Sequence, residues 1–583
     1  MSAQGYSHGF ATAEEKSARD SGRRTADVLL DVLASAGVEV IFGIPGGAIA
    51  PLNDALLDRP DIRVITTAHE SGAIFAAQAY ARASGKLGVV FVTSGPGILN
   101  AMTGIASAYC DGMPVLVVAG EVPRSVFGRG ALQEGSAHHL DIVSTCRPIT
   151  KMAMQVPMAD VAPAMLQRAM ATALSGRKGP VVLTLPLDVA SAPIRAPRVA
   201  QDVSVAHQVD GVMMRGVIHD AAEALATARR PLIFVGSGAR WGQGARRVRE
   251  LAERLQCPVV TTPKAKGIFP ESHPLSLGVF GYGGHPSASQ YLEQGIDVIL
   301  VVGSTLGDIA TNGWSPLLRP TKSFVQIDLD AMNIGRNYAV THGLVGDAGV
   351  LVGEIVHALP DEERAPQRFG VRRFTDPREL KHGAEGRITP MRALWELQGR
   401  MPDDTMYSCD IGEHLLFGTH YLQANDPHAF QVMTGLGSMG SSIASAIGAR
   451  LAMPTRQSVA VCGDGCFAMM FGDLSVAVRN EIPVLVAVLD DERYGMVELG
   501  HEAIYGRAPK YPTGPSDICA MARSVGASAV AIERADHIRE IDLLALLREG
   551  PLVLDIRIDR TVKMPKNSRF DDIKGATKAV VLN

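Results

Sequence analysis

Apolar runs of strand length alternate with helical patterns along most of the chain. The runs are apolar at nearly every position rather than at every second one, which is typical of parallel strands covered by helices on both faces. The pattern therefore predicts an α/β protein built from doubly wound parallel sheets. We predict strands at 38–42, 63–67, 88–93, 114–119, 181–185, 231–235, 259–261, 298–302, 324–327, 457–462 and 483–489. We predict helices at 28–36, 72–82, 99–109 and 467–480.

Two polar segments, 193–208 and 360–385, interrupt this alternation. Each domain that they delimit is roughly 150 to 180 residues long, an ordinary size for one hydrophobic core. The sequence therefore predicts three doubly wound parallel-sheet domains and a tail. The predicted bounds are 24–192 for the N-terminal domain, 211–359 for the central domain, 388–560 for the C-terminal domain and 561–583 for the tail.

The composition argues against two classes of partner. The 583 residues are 46% hydrophobic, have a mean hydropathy of +0.12 and carry a formal net charge of -4. No basic stripe marks a surface for nucleic acid or an anionic membrane, and no apolar run reaches the length of a membrane span. We therefore expect a small-molecule partner.

The seven scattered cysteines predict reduced thiols, and the polar N-terminal segment predicts a cytoplasmic location.

The strongest chemical signal lies between residues 457 and 491. Gly463-Asp464-Gly465 follows one predicted strand, and Asp490-Asp491 follows the next. At the carboxyl ends of parallel strands, glycines let the backbone approach an anion closely. Asp464, Asp491, a backbone carbonyl near Arg493 and two phosphate oxygens would suit Mg²⁺. The alternative is an ordinary tight turn, but the acidic end of the second strand favours a metal and diphosphate site.

This spacing resembles the thiamine diphosphate signature. The family usually ends the signature with two asparagines, the second of which ligates the metal, whereas this chain has Asp490-Asp491. Asp491 can still donate an oxygen, but it adds negative charge beside a diphosphate. We therefore predict a stronger dependence on the metal than is usual in the family.

Motifs of the first domain are similar to the pyrimidine-binding domain of thiamine diphosphate enzymes. The likeness is closest to the acetolactate synthase (acetohydroxyacid synthase) branch of the pyruvate oxidase group and spans about residues 24–565. It implies that Glu70 hydrogen-bonds N1′ of the cofactor pyrimidine, and that Gln133 and Gly46 lie near the reacting centre. Without the resemblance, Glu70 would be interpreted as a charge at a helix N-terminus. The motifs are FGIPGGAI at 42–49, HESGA at 69–73, TSGPG at 93–97, GEVPR at 120–124, LQE at 132–134 and ITK at 149–151.

The resemblance also implies a diphosphate-binding set in the third domain. Met439 is expected to wedge the cofactor into a bent shape, although methionine is also a common core filler. His414 is expected to donate to the diphosphate, and the alternative is an ordinary surface histidine. Glu413 stands where the family often has a neutral residue. The implied cofactor contacts are Glu70, Ile411, Gly412, His414, Gly437, Met439, Gly463, Asp464, Gly465, Cys466, Asp491, Gly495 and Met496.

Two segments depart from the acetolactate synthase pattern. GSTLGD at 303–308 replaces the family's Arg-Phe-Asp-Asp-Arg run, and GMVELG at 495–500 lacks the tryptophan that follows Gly-Met-Val. The acceptor substrate is therefore left open. Glycine-rich segments at 236–238 and 281–284 could lie along a flavin nucleotide but also suit ordinary turns, so bound FAD is the less favoured alternative.

The resemblance implies a thiamine diphosphate- and Mg²⁺-dependent carboligase. It would decarboxylate a 2-oxo acid, with pyruvate the expected one, and transfer the two-carbon unit to a second carbonyl compound. It also implies a homodimer or homotetramer with the cofactor between subunits. A decarboxylase, an oxidase or an acetyltransferase similar to sulfoacetaldehyde acetyltransferase stays open. So does a non-catalytic scaffold or regulatory paralogue, against which Glu70, Asp464 and Met439 argue.

Overall fold

The computed structural model describes residues 23–194, 215–362, 364–373, 387–514 and 516–565. The polar segment before residue 23, most of both predicted linkers and the tail from residue 566 lie outside the described residues. The described chain contains three six-stranded parallel sheets and one short antiparallel strand pair. The predicted α/β class with three doubly wound sheets is confirmed. Within these described ranges, no helix is both long and apolar enough to cross a membrane.

The N-terminal unit carries the first sheet. Its strands are β1 Arg23–Arg24, β2 Val40–Gly43, β3 Arg63–Thr66, β4 Gly88–Val92, β5 Val115–Glu121, β6 Met152–Gln155, β7 Val181–Pro186 and β8 Pro193–Ile194. Its helices are α1 Thr25–Ser35, α2 Ala50–Ala55, α3 Glu70–Ser84, α4 Pro96–Asp111, α5 Ile142–Cys146, α6 Ala162–Leu174 and α7 Leu187–Ser191. The sheet order is β3-β2-β4-β5-β7-β6. Every residue of β4 and β5 is buried, because helices cover both faces of the sheet.

The central unit has a different strand order. Its strands are β9 Pro231–Val235, β10 Val259–Thr261, β11 Ser276–Val279, β12 Val298–Val302, β13 Ser323–Asp328 and β14 His342–Val345. Its helices are α8 Arg215–Ala226, α9 Gly244–Leu255, α10 Pro286–Glu293, α11 Asp308–Thr311 and α12 Ala348–Ala358. The sheet order is β11-β10-β9-β12-β13-β14, with all strands parallel. The chain adds strands on one side of β9 as far as β11 and then on its other side from β12, so the strand order reverses between β9 and β12. That reversal opens a crevice position at the carboxyl ends of these two strands.

The C-terminal unit carries the third sheet. Its strands are β15 Met406–Cys409, β16 Phe430–Val432, β17 Ser458–Gly463, β18 Leu485–Asp490, β19 Ser528–Ile532 and β20 Leu552–Arg557. Its helices are α13 Pro390–Arg400, α14 Glu413–Tyr421, α15 Ser442–Ala452, α16 Asp464–Met470, α17 Gly472–Arg479, α18 Gly495–Tyr505, α19 Ile518–Ser524, α20 Ala535–Glu540 and α21 Leu543–Glu549. The sheet order is β16-β15-β17-β18-β20-β19. The single helix predicted at 467–480 is wrong: the segment forms α16 and α17, and α16 begins at Asp464.

The N-terminal and C-terminal units pack together through α3 and α15. A Cβ on Gly448 would overlap the carbonyl oxygen of Ala76, so glycine is needed for this close approach. One hydrophobic core continues across the contact and includes Phe75 from α3 and Ile447 from α15. Glu70, the first residue of α3, is thereby held on a helix that is anchored in both units.

Candidate active site

A cavity of about 200 Å³ lies at one edge of the C-terminal sheet. Because β15, β17 and β18 are parallel neighbours, the segments that follow them meet at their carboxyl ends. All the residues that line the cavity belong to the C-terminal unit. Those predicted from the sequence are Ile411, Gly412, His414, Gly437, Met439, Gly463, Asp464, Gly465, Cys466, Asp491, Arg493, Gly495 and Met496. The structure therefore brings together every site residue predicted in this domain.

Three carboxyl groups, those of Asp464, Asp491 and Glu413, lie in the wall of this cavity. Asp464 and Asp491 are only 6% and 7% exposed. A Cβ on Gly495 would lie 2.8 Å from Asp491 Oδ2 and would overlap Glu413 Oε1, so these two oxygens converge. Glu413 Oε1 is buried and has no hydrogen-bond partner among the described residues. An orphaned oxygen beside two buried carboxyl groups fits a hard cation, which supplies the missing partner.

The electrostatics of the three carboxyl groups agree with a cation site. Burial raises the pKa of Asp464 to about 7 and that of Glu413 to about 8, and the nearby Asp491 raises both. Burial also raises the pKa of Asp491, an effect that Arg493 opposes by donating from Nε to Asp491 Oδ2 at 2.8 Å. Thr513 Oγ1 donates to Asp464 Oδ2. A divalent cation would stabilise the ionised forms of these crowded groups.

The two members of the acidic pair have different surroundings. Asp491 lines the cavity, whereas Asp490 ends β18 and accepts a hydrogen bond from the backbone N–H of Glu492 at 3.1 Å. Asp490 also lies beside Asp555 and Arg557 of the neighbouring strand β20. Asp491 is therefore the member of the pair that is positioned to meet a ligand in the cavity.

A second part of the cavity wall carries His414 and Cys466. Burial lowers the pKa of His414 to about 3, so its ring is neutral near pH 7. His414 Nε2 lies 3.8 Å from Cys466 Sγ, which donates to the carbonyl oxygen of Ile411 at 3.3 Å. His414 Nδ1 lies 3.1 Å from the position that a Cβ on Gly463 would take, and a Cβ on Gly412 would overlap the ring. Glycine at both positions keeps the space around the imidazole open.

Asp410 holds the loop that carries Met439. Its buried carboxylate accepts hydrogen bonds from the backbone N–H groups of Gly440 and Ser442, each at 2.9 Å. Gly437 has a φ of 79°, in the left-handed region that favours glycine. The sequence left open whether Met439 fills the core or contacts a cofactor. Its side chain both packs against the core and lines the cavity.

Glu70 lies elsewhere, at the carboxyl end of β3 in the N-terminal sheet. Its side chain is buried, and its Oε2 accepts a hydrogen bond from Asn100 Nδ2 at 3.1 Å. His69 caps α3 through its Nδ1, which accepts from the backbone N–H of Ser71 at 3.1 Å. Ser71 Oγ in turn donates to the carbonyl oxygen of Asn100 at 2.6 Å. The carboxyl group is thus fixed by α4 instead of projecting freely from the helix end.

Gly46 and Gln133 both pack against the loop that joins β4 to α4. A Cβ on Gly46 would lie 2.5 Å from Thr93 Cβ, and a Cβ on Gly95 would lie 3.0 Å from Gln133 Cβ. Gln133 has a φ of 64°, which is uncommon for a residue other than glycine. Gly46 and Gln133 thus border the loop that precedes α4, and Glu70 contacts Asn100 of that helix. None of the three lines the cavity of the C-terminal unit.

The sequence reasoning missed two polar contacts of the cavity's aspartates and also the lining residues Phe417, Leu489, Tyr494, Val497 and Ile558. Thr513, in the segment after α18, hydrogen-bonds Asp464, which lies far from it along the chain. Arg493 was considered only for a backbone carbonyl, but its guanidinium pairs with Asp491 and reaches Glu498 Oε1 at 3.2 Å. No local pattern marks Thr513. The arginine could have been found as the basic residue nearest to the unusual acidic pair.

The central sheet places one of its two predicted glycine-rich segments, 236–238, at the reversal of strand order, whereas the other, 281–284, follows the edge strand β11. Gly236–Gly238 follows β9, and the GSTLGD segment follows β12. The backbone N–H of Gly238 donates to the carbonyl oxygen of Gly303 at 2.9 Å, and Tyr282 Oη donates to Asp308 Oδ1 at 3.2 Å. Sheets of this order bind nucleotides at this point. The expectation that this chain does not bind FAD stays a prediction.

The fold and the cavity together define a class of cofactor-dependent enzyme. The family model described as "Thiamine pyrophosphate enzyme, N-terminal TPP binding domain" matches residues 23–141. The corresponding central-domain model matches residues 218–358, and the C-terminal TPP binding domain model matches residues 410–556. The chain belongs to the thiamine pyrophosphate enzyme family, which confirms the resemblance identified from the motifs.

Full-length relatives narrow this class. The "Probable acetolactate synthase large subunit" of Methanocaldococcus jannaschii is 33% identical over 93% of this chain and 93% of its own length. The "Acetolactate synthase" of Arthrospira platensis is 33% identical over 92% of this chain and 94% of its own length. The "Acetolactate synthase isozyme 3 large subunit" of Escherichia coli is 32% identical over 92% and 94%. The similarity therefore covers all three units of the chain.

Proposed function

We propose that this protein is a thiamine diphosphate- and Mg²⁺-dependent carboligase of the acetolactate synthase type. It would decarboxylate a 2-oxo acid, with pyruvate the expected substrate, and join the two-carbon unit to a second carbonyl compound. The observation that carries the proposal is the single cavity that Asp464, Asp491 and His414 all line. Bound thiamine diphosphate would supply the electron sink for decarboxylation.

The C-terminal unit would hold the diphosphate and its cation. Asp464 and Asp491 would ligate Mg²⁺, and the unpartnered Oε1 of Glu413 lies close enough to Asp491 to add a third carboxylate oxygen. His414 Nδ1 would donate to the diphosphate in the space that Gly412 and Gly463 keep open. A backbone carbonyl near Arg493 stays a proposed ligand.

The other predicted residues of this cavity take supporting parts in the proposal. Met439 would press against the bound cofactor from the loop that Asp410 fixes. Gly495 is required because any side chain there would collide with the carboxyl groups of Glu413 and Asp491. The remaining proposed contacts are Ile411, Gly437, Gly465, Cys466 and Met496, all of which line the cavity.

The N-terminal unit would bind the pyrimidine half of the cofactor. Glu70, fixed by Asn100, would exchange a proton with the pyrimidine, and Gln133 and Gly46 would border the reacting centre. Since none of the three lines the cavity of the same chain, we infer that the two halves meet across a subunit interface. The assembly would be a homodimer or a homotetramer.

Product analysis tests the proposed reaction. The protein is incubated with pyruvate, thiamine diphosphate and Mg²⁺, with and without a second 2-oxo acid as acceptor. A carboligase forms acetolactate, or its longer homologue when the larger acceptor is added. Glu70→Gln serves as the matched control, because it keeps the size of the side chain and removes its charge. Failure to release CO₂ from any 2-oxo acid would contradict the proposal and favour a scaffold or regulatory paralogue.

The same assay tests whether the two-carbon unit has a different fate after decarboxylation. The segments 303–308 and 495–500 lack the arginines and the tryptophan that mark acetolactate synthases, so another fate of the two-carbon unit is a specific alternative. A decarboxylase would release acetaldehyde, an oxidase would consume O₂, and an acetyltransferase would form an acetylated acceptor. Any of these in place of acetolactate would replace the proposed second step while leaving the decarboxylation intact.

Two further proposals concern the whole protein. We expect a preparation without flavin, and a flavin absorption spectrum after gel filtration would contradict this.

We also propose a cytoplasmic location, supported by a chemistry whose substrates are soluble 2-oxo acids. Fractionation of the native cells, with detection of this chain in the soluble or the membrane fraction, tests it.

A further inference from the structure

Three side chains of metal-binding type converge beside the cavity. The ligand atoms of Asp410, His414 and Cys466 all lie within 4.8 Å of one another. Asp410 follows β15, and His414 and Cys466 lie in the first turns of α14 and α16, so two segments of the chain bring the three residues together. Their exposed fractions are 1%, 6% and 2%, respectively. Asp410 and Cys466 are therefore more deeply buried than Asp464 and Asp491, and His414 is as buried as Asp464.

The spacing within the cluster suits a tetrahedral ion. His414 Nε2 and Cys466 Sγ are 3.8 Å apart. For an ion bound at ordinary Zn–N and Zn–S distances with a tetrahedral angle, the two ligand atoms are separated by roughly 3.6 Å. A neutral imidazole offers one ring nitrogen without a proton for such a bond. The pair could therefore bind an ion with little movement.

Asp410 supplies the oriented carboxylate that such a site requires. Its Oδ1 accepts from the backbone N–H groups of Ile411 at 2.8 Å and Gly440 at 2.9 Å, and its Oδ2 accepts from Ser442 at 2.9 Å. Oδ1 thus uses both of its lone-pair sites, whereas Oδ2 keeps one available for a metal. Carboxylates that ligate metals are usually held by hydrogen bonds of this kind. The cluster thus has three ligand types, nitrogen, sulfur and oxygen, already in place.

The ligand chemistry separates this cluster from the proposed Mg²⁺ site. Asp464, Asp491 and Glu413 offer oxygen alone, which suits a hard cation, whereas His414 and Cys466 offer nitrogen and sulfur, which suit Zn²⁺ and Cd²⁺. We propose that Asp410, His414 and Cys466 form a binding site for a soft divalent cation such as Zn²⁺ in the cofactor-free protein. Binding releases the thiol proton of Cys466 to solvent, and a water molecule completes the tetrahedron.

The cavity is the entry route to this site. His414 and Cys466 line it, whereas Asp410 lies behind them. A cofactor seated in the cavity would therefore close the route to the ion. This part of the inference rests on the proposed function, but the metal site itself does not.

Titration with Cd²⁺ tests the site. Protein freed of cofactor and metal by dialysis against a chelator is titrated with Cd²⁺ under reducing conditions, and the ultraviolet absorption of the Cd–thiolate bond is followed. In the wild type we expect the thiolate band to saturate at one equivalent of sulfur-bound Cd²⁺, since any Cd²⁺ held by the carboxyl groups of the proposed Mg²⁺ site adds no such band. In Cys466→Ser we expect loss of the thiolate band and affinity lower by more than about tenfold. Cys519→Ser, at another buried cysteine, serves as the matched control and should behave as wild type. A Cys466→Ser protein that keeps the band overturns the proposal.

X-ray absorption at the zinc edge gives a test that needs no variant. In the wild-type protein with one equivalent of Zn²⁺ we expect one sulfur neighbour at about 2.3 Å together with nitrogen and oxygen neighbours. A spectrum without sulfur, or with more than one sulfur, overturns the proposed ligand set.

The entry route is tested with thiamine diphosphate and Mg²⁺ bound. We expect Cd²⁺ to bind more slowly by more than about tenfold when the cavity is filled. If Cd²⁺ binds to the cofactor-free protein and the rate does not change, the metal site stands and the cofactor is not in this cavity. If no Cd²⁺ binds to the cofactor-free protein, the metal proposal fails regardless of the result of the product assay.

Discussion

The N-terminal and C-terminal sheets have the same topology. When the strands are numbered within each six-stranded sheet, both sheets run in the order second, first, third, fourth, sixth, fifth strand. Each also places a glycine-rich turn at the carboxyl end of its third strand, Ser94-Gly95-Pro96-Gly97 in one and Gly463-Asp464-Gly465 in the other. The two regions therefore share the scaffold on which a ligand site can be built.

The two edges differ in the side chains that their turns carry. At the C-terminal edge, the carboxyl groups of Asp464, Asp491 and Glu413 surround a cavity of about 200 Å³. At the N-terminal edge, Glu70 is held by Asn100 and lies outside that cavity. Under the proposed function, the two edges are complementary halves of one cofactor site. Within a single chain, the residues proposed for the N-terminal half do not line the cavity of the C-terminal half.

The largest expected effect follows from removing the charge of Glu70. Glu70→Gln keeps the side-chain volume and can still accept from Asn100, so folding and cofactor affinity should stay close to wild type. Loss of the proton exchange should lower kcat by about 10²- to 10⁴-fold. Steady-state kinetics with pyruvate, together with calorimetric measurement of thiamine diphosphate binding, check this.

Glu39→Gln is the matched control for this variant, because Glu39 is an exposed glutamate paired with Lys86 on the same domain. It should leave kcat unchanged. Turnover near the wild-type rate in Glu70→Gln would remove the role assigned to the N-terminal edge.

Subunit complementation asks directly whether the two edges work across an interface. Glu70→Gln disables the N-terminal half, and Asp464→Asn weakens the cation site of the C-terminal half. In a hybrid dimer, one site would carry both changes and the other would carry neither. Random mixing should therefore restore about a quarter of the wild-type activity. Separate tags allow the hybrid to be isolated, and an inactive hybrid would contradict a site shared between subunits.

Much of this comparison could be predicted from the sequence. The buried strands β4, β5, β17 and β18 are continuous apolar runs, so their carboxyl ends and the residues placed there could be located. By contrast, the edge strand β6 is half-exposed and has no such run. Thr513 could not be found, because its contact with Asp464 joins segments far apart in sequence. The orphaned oxygen of Glu413 likewise depends on packing that only coordinates reveal.

Asp473 lies where the N-terminal and C-terminal regions contact each other. We predict that its buried carboxyl group makes the free energy of unfolding depend on pH. A Cβ on Gly72, in the first turn of α3, would lie 2.6 Å from Asp473 Oδ1, and Asp473 Oδ2 is buried without a hydrogen-bond partner in the described residues. Burial raises the pKa of Asp473 to about 7. In the unfolded chain an aspartate has a pKa of about 3.9. Stability from this group is therefore present below about pH 4 and is lost as the pH rises to about 7.

Asp473→Asn should abolish this loss. Relative to the wild type, the variant should gain stability as the pH rises from 4 to 7, by at most about 4 kcal/mol, and the difference should stay constant above pH 7. Thermal unfolding of both proteins across this pH range measures the trend, which is independent of any constant cost of the asparagine. If the stability of both proteins changed equally with pH, the prediction would be wrong. The backbone N–H groups in the first turn of α3 would then stabilise the charged form of Asp473.

The smallest expected effect concerns the metal requirement of the C-terminal edge. Asp491→Asn removes one negative charge from a cluster that also contains Asp464 and Glu413, and it ends the ion pair between Asp491 and Arg493, whose guanidinium keeps its contact with Glu498. Less cation is then needed to hold the cofactor, so the Mg²⁺ concentration for half-maximal activity should fall by about tenfold or less. Glu413→Gln, at the orphaned oxygen, should show whether the effect belongs to the cluster or to Asp491 alone. Complete loss of cofactor binding in Asp491→Asn would contradict the view that its oxygen can be replaced by an amide.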